Sequence, residues 1–218
     1  AMAATVAPAV AAAADDAGTS TAASQLRPAA ATDVDDFSYS SWDAVYEIGL
    51  DDDGRARMHV TETLVAQFPD FDQNHGIVRG LAAEYMGAST ETTVLSVTDE
   101  KGADVPYETE EEDGLLLVLT GNDDDYVQGL TTYVIEYEMR DVILATDRSD
   151  ETTPPVDEFY WDVLPLDSTQ AIERFRADIV LDAEMSAALT GSTRCYSGPS
   201  GSTDECELQG PVIDGDMA

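Results

Sequence analysis

From Phe37 onward, apolar and polar residues alternate with period two, the pattern of an extended chain with one buried face. Trp42, Ala44, Tyr46, Ile48 and Leu50 fall on one side of a run whose other side carries Asp43, Val45, Glu47 and Gly49. The run stops at Asp51-Asp52-Asp53-Gly54, and an Asp-Gly turn favours a hairpin. Ala56, Met58, Val60, Leu64, Ala66 and Phe68 then form the apolar face of a return strand, with Glu62 in the same register. A helix would scatter these residues around its axis, so the two runs read as a hairpin.

The rest of the body repeats the pattern less strictly. Val94 to Val97 and Asp104 to Tyr107 flank a turn at Asp99-Glu100-Lys101-Gly102 and read as a second hairpin. Gly114 to Thr120, GLLLVLT, is continuously apolar, as a strand buried on both faces would be, and Gly121 to Asp125 is a polar turn. Tyr133, Ile135, Tyr137 and Met139 share a face; Phe159, Trp161 and Val163 alternate, as do Phe175, Ala177, Ile179 and Leu181. Two short segments around Cys195 and Cys206 close the structure, and residues 80–90 suit one or two helical turns. About eight to ten strands with turn-rich joints predict an all-β fold, an antiparallel β-sandwich, with a closed β-barrel as its rival. Trp42, Trp161, Tyr133 and Tyr137 follow the alternation and read as core rather than as sugar-stacking platforms.

Residues 1–35 are built from Ala, Thr, Ser, Pro and Asp and cannot offset their ordering entropy by burial, so they read as a flexible segment. The Ala12-Ala13-Ala14 run suits signal-peptidase cleavage. Residues 36–210 are the sandwich, and 211–218 form a tail leading toward a membrane anchor outside this chain. A division into two small β-domains near residues 145–155 stays open. No run approaches the roughly 18 apolar residues that a membrane-spanning helix needs.

Forty-five Asp and Glu against ten Lys and Arg leave a formal charge of −35, which repels the phosphates of nucleic acids and anionic membranes. With Lys101 as its one lysine, the chain has no phosphate-binding P-loop, and the signature motifs of zinc peptidases and serine hydrolases are also missing. Acidic turns containing Asp51 and Asp53, and Asp123 and Asp125, offer the oxygen ligands that calcium prefers. Neither has the spaced ligand loop of an EF-hand, so solvated turns are the favoured reading, with calcium the one candidate cofactor. The pair Cys195 and Cys206 brackets a segment rich in Gly, Pro and Ser, which suits a disulfide and hence an oxidising compartment. His75 and Arg79 lie within five residues of one another beside the acidic stretch Asp70-Phe71-Asp72. The guanidinium of Arg79 can grip a carboxylate bidentately. If that carboxylate is Glu62, the pair is structural; if it belongs to a ligand, His75, Arg79 and Glu62 mark a binding site.

Several segments in order carry a family likeness: Tyr46-Glu47-Ile48 before the Asp-Gly turn, His75-Gly76-Ile77-Val78-Arg79, Tyr133-Val134-Ile135-Glu136-Tyr137 and Glu158-Phe159-Tyr160-Trp161-Asp162-Val163. Over about residues 37–210 the chain resembles the extracytoplasmic N-terminal domain of the YciQ-like predicted bacterial membrane proteins, domain of unknown function 2207. Where members often read R-D-I-P, this chain has Arg79-Gly80-Leu81-Ala82. The resemblance implies a signal peptide, this ectodomain and transmembrane helices beyond Ala218, with no established activity or catalytic residues. The expectation is a non-enzymatic domain at the cell surface that binds or assembles with an envelope protein or glycan. A calcium-stabilised adhesion module and a carboxylate-dependent envelope glycan hydrolase are the alternatives.

Overall fold

A computed structural model describes residues 36–146, 156–165, 168–199 and 201–211. The segment 1–35 and most of the tail therefore lie outside the described residues, as does the joint at 147–155. The alternation that begins at Phe37 becomes the longest hairpin of the molecule, β1 (Ser38–Leu50) and β2 (Ala56–Phe68), in the register Trp42↔Leu64, Ala44↔Glu62, Tyr46↔Val60 and Ile48↔Met58. Short strands follow: β3 (Val78–Ala82), β4 (Glu84–Tyr85), β5 (Ala88–Ser89), β6 (Thr93–Thr98), β7 (Tyr107–Glu112) and β8 (Leu115–Thr120). The long β9 (Gly129–Arg140) precedes β10 (Leu144–Thr146), β11 (Val156–Glu158), β12 (Phe175–Leu181), helix α1 (Ala183–Ala188), β13 (Tyr196–Ser197) and β14 (Asp204–Glu205).

The eight strands of five or more residues divide into two sheets, ordered β12-β1-β2-β9-β6 and β3-β8-β7. Neither sheet closes on itself among the described residues, so the architecture is the sandwich and not the barrel. Trp42, Tyr46, Leu64, Ile135 and Tyr137 of the larger sheet share one hydrophobic core with Leu81 and Val118 of the smaller. Both sheets belong to one compact unit, Thr32–Ala218.

Some expectations are corrected. The 99–102 turn returns the chain, but only Thr98↔Asp104 and the Val105 N–H donated to the Val97 carbonyl (2.9 Å) continue the hairpin; β7 then joins the other sheet. Pro106 has no N–H to extend the ladder at that crossing. Residues 80–90 form no helix: β4 and β5 pair around Met86 and Gly87, whose φ values of 50° and 83° are incompatible with one. In the 159–163 stretch only the preceding β11 is extended, paired with β10, while Phe159, Trp161 and Val163 pack against the core from irregular chain. β12 runs parallel to β1, an arrangement that alternation within one strand does not encode. The short helix α1 leaves no mark in the period-two pattern; Asp182 caps it, accepting from the Met185 N–H at 2.8 Å.

The disulfide Cys195–Cys206 is formed and closes the β13–β14 hairpin, where the Cys206 N–H also donates to the Cys195 carbonyl at 3.1 Å. Both short strands are exposed and pair only with each other among the described strands. Reduction is therefore expected to speed amide exchange within 195–206 while moving the sandwich's Tm by less than about 4 °C. Hydrogen exchange and calorimetry check this, and a fall in Tm well beyond that would show that the hairpin supports the sandwich.

Candidate functional site

Glu62 sits mid-way along β2 on the face turned toward the core, opposite Ala44 and Ile135, and is fully buried. A lone carboxylate there would cost several kcal/mol in lost hydration. The second sheet supplies its partner. Arg79 on β3 is 8% exposed and grips Glu62 with two bonds, Nε donating to Oε2 and Nη2 to Oε1, each at 2.8 Å. Nη1 donates to the Gly80 carbonyl, and the Tyr137 hydroxyl on β9 donates to Oε1 at 2.8 Å. The guanidinium lies 5.0 Å from the centre of the Trp42 ring, within cation–π range. Thus a bidentate ion pair, roofed by an indole and tied by a phenol, joins the two layers of the sandwich.

The electrostatics follow from burial. Desolvation works against the charge on Arg79, but the Glu62 carboxylate overrides it and holds the guanidinium above its ordinary pKa. Burial, and after it the Glu62 charge, pushes the Tyr137 phenol well above its usual value, and Tyr46 is raised for the same reasons. Burial likewise lifts Tyr133, to about 12. Tyr137 therefore acts as a hydrogen-bond donor and not as a base at physiological pH.

His75 does not join this pair. Its Nδ1 lies 2.9 Å from the Asp125 carbonyl and its ring centre 4.2 Å from that of Tyr126, so it holds the loop before β3 against the loop before β9. The Asn74↔Val127 bridge and the Gln128 amide donating to Asp72 at 2.8 Å tie the same loops. Between them, Ile77 and Thr120 exchange backbone and side-chain bonds: the Ile77 N–H donates to Thr120 Oγ1 and the Thr120 N–H to the Ile77 carbonyl, both at 2.9 Å. The His75 to Arg79 stretch thus does two separate jobs, a loop clasp and an interlayer ion pair.

The acidic turns are structured by the chain itself. Asp51 Oδ1 accepts from the Asp53 and Arg55 N–H groups at 3.0 and 2.9 Å, and Oδ2 accepts from Arg140. Asp99 repeats the motif, accepting from Lys101 at 2.8 Å and Ala103 at 2.9 Å, and each turn is completed by a glycine, Gly54 or Gly102, at φ 77°. Only a residue free to adopt a left-handed conformation closes such a five-residue loop without strain. In the 121–125 turn, Asn122 accepts from the Asp124 and Asp125 N–H groups and donates to the Asp125 carboxylate, whereas Asp53 and Asp123 are exposed. Among the described residues no three His, Cys, Asp or Glu side chains come together as a metal site.

The turn N–H groups, Arg55 first for Asp51 and Ala103 first for Asp99, hold both carboxyls below the usual aspartate range. A folded pKa below the unfolded one contributes stability that is complete above about pH 4 and is lost as pH falls through the folded value. Asp99→Asn keeps an acceptor oxygen for the turn but cannot titrate. It is expected to change stability little at pH 7 and to flatten the fall in the urea midpoint below about pH 4. An unchanged acid slope would show that Asp99 is not part of that linkage.

Residues 43–207 match the family described as "Predicted membrane protein (DUF2207) N-terminal domain". The chain belongs to this family. No curated protein matches it. Among solved structures, it is similar to a mutant M1 zinc metallopeptidase from Deinococcus radiodurans, bound to a Tyr-Ser-Ala substrate, at 12% identity and a TM-score of 0.33, over 51% of this chain and 22% of that one. Leukotriene A4 hydrolase from Saccharomyces cerevisiae matches at 15% identity and a TM-score of 0.31, over 51% of this chain and 15% of the hydrolase. The chain thus spans less than a quarter of either enzyme, at similarities too low to carry an argument about fold or chemistry. The family match places the protein among predicted membrane proteins of unknown function; among the described residues no helix is long and apolar enough to cross a bilayer.

Trp42 and Tyr137 are the partners that pattern reading left unassigned. Both were legible as core residues, and a buried tyrosine on the same strand face as a carboxylate's neighbours is the one signal pointing to a shared hydrogen bond.

Proposed function

We propose that this chain is a non-enzymatic, extracytoplasmic domain of a membrane-anchored protein, acting in binding or assembly at the cell envelope. The observation that carries the location is the Cys195–Cys206 disulfide, which persists only where thiols are oxidised. Membership of a membrane-protein family supports the anchor. The non-enzymatic reading is supported by the state of the charged core: the fork of Arg79 is already filled by Glu62, and Tyr137 takes the remaining approach to Oε1. A pair engaged in this way holds layers together and offers a substrate no free acid, base or anion site. Protease added to intact cells expressing the full-length protein is expected to cleave the domain; protection that persists until the membrane is opened would overturn the placement.

A further inference from the structure

Among the described residues, β3 and β8 of the smaller sheet are covered on one face only. Val118 and Thr120 of β8 are buried, and Leu116 packs against the core. Leu115, Leu117 and Leu119 alternate with them and point the other way; Leu115 is 40% exposed, Leu117 and Leu119 are half-buried, and Val78, paired with Leu119 from β3, is 59% exposed. A strand apolar on both sides, as this one is, belongs where both faces are covered. Here the described chain covers one.

The open face has a charged border in register. Glu112 pairs with Leu115, Glu110 with Leu117 and Glu108 with Leu119, so three carboxylates run alongside three leucines at about 5 Å between strands. All of β7 is exposed, and among the described residues none of these three glutamates has an ion-pair partner. A groove beyond the β7–β8 turn, lined by Glu84, Glu111, Glu112 and Asp113, extends the same charge. The outer face of the larger sheet is different: Arg57 pairs with Glu138, Arg174 with Asp43 and Arg176 with Asp178, so its charges are largely met within the chain. The one arginine of the smaller sheet, Arg79, faces inward to Glu62.

An apolar centre with a charged rim is the anatomy of a protein interface. The rim decides the occupant. A second copy of this chain would set glutamates against glutamates, and an anionic bilayer would be repelled in the same way. We propose that this face docks a lysine- or arginine-rich amphipathic segment of a partner protein, its apolar side chains on Leu115, Leu117 and Leu119 and its cations on Glu108, Glu110 and Glu112. The idea deepens the binding reading above, but its test uses the purified chain and is independent of where the protein resides.

The probe is a fluorescent ten-residue peptide of alternating Leu and Lys, titrated with the full chain at physiological ionic strength and followed by anisotropy. The triple variant Glu108→Lys, Glu110→Lys, Glu112→Lys and the single variant Leu117→Ser are each expected to weaken binding about ten-fold or more. A control triple, Asp204→Lys, Glu205→Lys, Glu207→Lys, changes net charge equally on the C-terminal hairpin and is expected to change affinity less than about two-fold. Melting curves verify that each variant is folded. Equal weakening by the two triples, no effect of Leu117→Ser, no binding to the unaltered chain, or a sedimentation dimer that Leu117→Ser dissociates would each overturn the proposal.

Discussion

Arg79→Met and Glu62→Gln are each expected to lower unfolding free energy by about 3–5 kcal/mol in urea titrations, the cost of leaving one buried charge without its partner. Both residues lie where water does not compensate: Glu62 is fully buried and Arg79 nearly so. Arg79→Lys keeps the charge but loses the two-pronged grip on Oε1 and Oε2, so most of the loss is expected to remain. Tyr137→Phe removes one of three bonds to the Glu62 carboxylate and is expected to cost less, about 1.5–3 kcal/mol, the range for hydrogen bonds to charged groups. The double variant Glu62→Leu with Arg79→Met removes both desolvation penalties together and is expected to recover most of the stability. Single variants that each lose less than about 1 kcal/mol would mean that solvent reaches the pair and that it does not bind the two layers.

The second large effect is expected from one methyl group. At Gly76 an added Cβ would lie 1.9 Å from the Thr120 carbonyl oxygen and 2.7 Å from its carbon. Backbone atoms are the obstacle, so no rotamer change relieves the clash. The strands must separate where Ile77 and Thr120 exchange their hydrogen bonds, two residues from Arg79. Gly76→Ala is expected to destabilise by about 3 kcal/mol, the upper part of the range for overpacking, and to loosen the His75–Asp125 contact. Chemical unfolding measures the first; the His75 ring resonances report the second. Wild-type stability in this variant would show that the loop before β3 shifts freely and does not position Arg79.

How much of this was legible beforehand depended on whether a residue's neighbours are local. The β1–β2 hairpin and the buried face of β9 were readable because alternation is a property of a single strand, and the two Asp-x-x-Gly turns because their hydrogen bonds span at most four residues. The ion pair was half readable: Glu62 is conspicuous as a carboxylate in an apolar register, and Arg79 as a nearby cation, yet spacing along the chain does not say that they face each other across two sheets. β7 escaped notice because Tyr-Glu-Thr-Glu-Glu-Glu has little strand character of its own; it is extended because β8 offers it a ladder. The 159–163 stretch failed in the opposite sense, since its alternation is real but its backbone finds no partner strand beyond Glu158.

Taken alone, the sequence determined the class of fold, the position of the hairpin and the core residues of the long strands β1, β2 and β9, because burying one face of an extended chain requires a period of two wherever that chain ends up. It also made Cys195 and Cys206 near neighbours, since the loop between them is short. Only the tertiary structure decided that Arg79 meets Glu62, that β12 lies parallel to β1, and that the leucines of β8 are covered on one side. These are contacts between segments far apart in the chain, and their geometry is set by how two sheets pack, which no local pattern records.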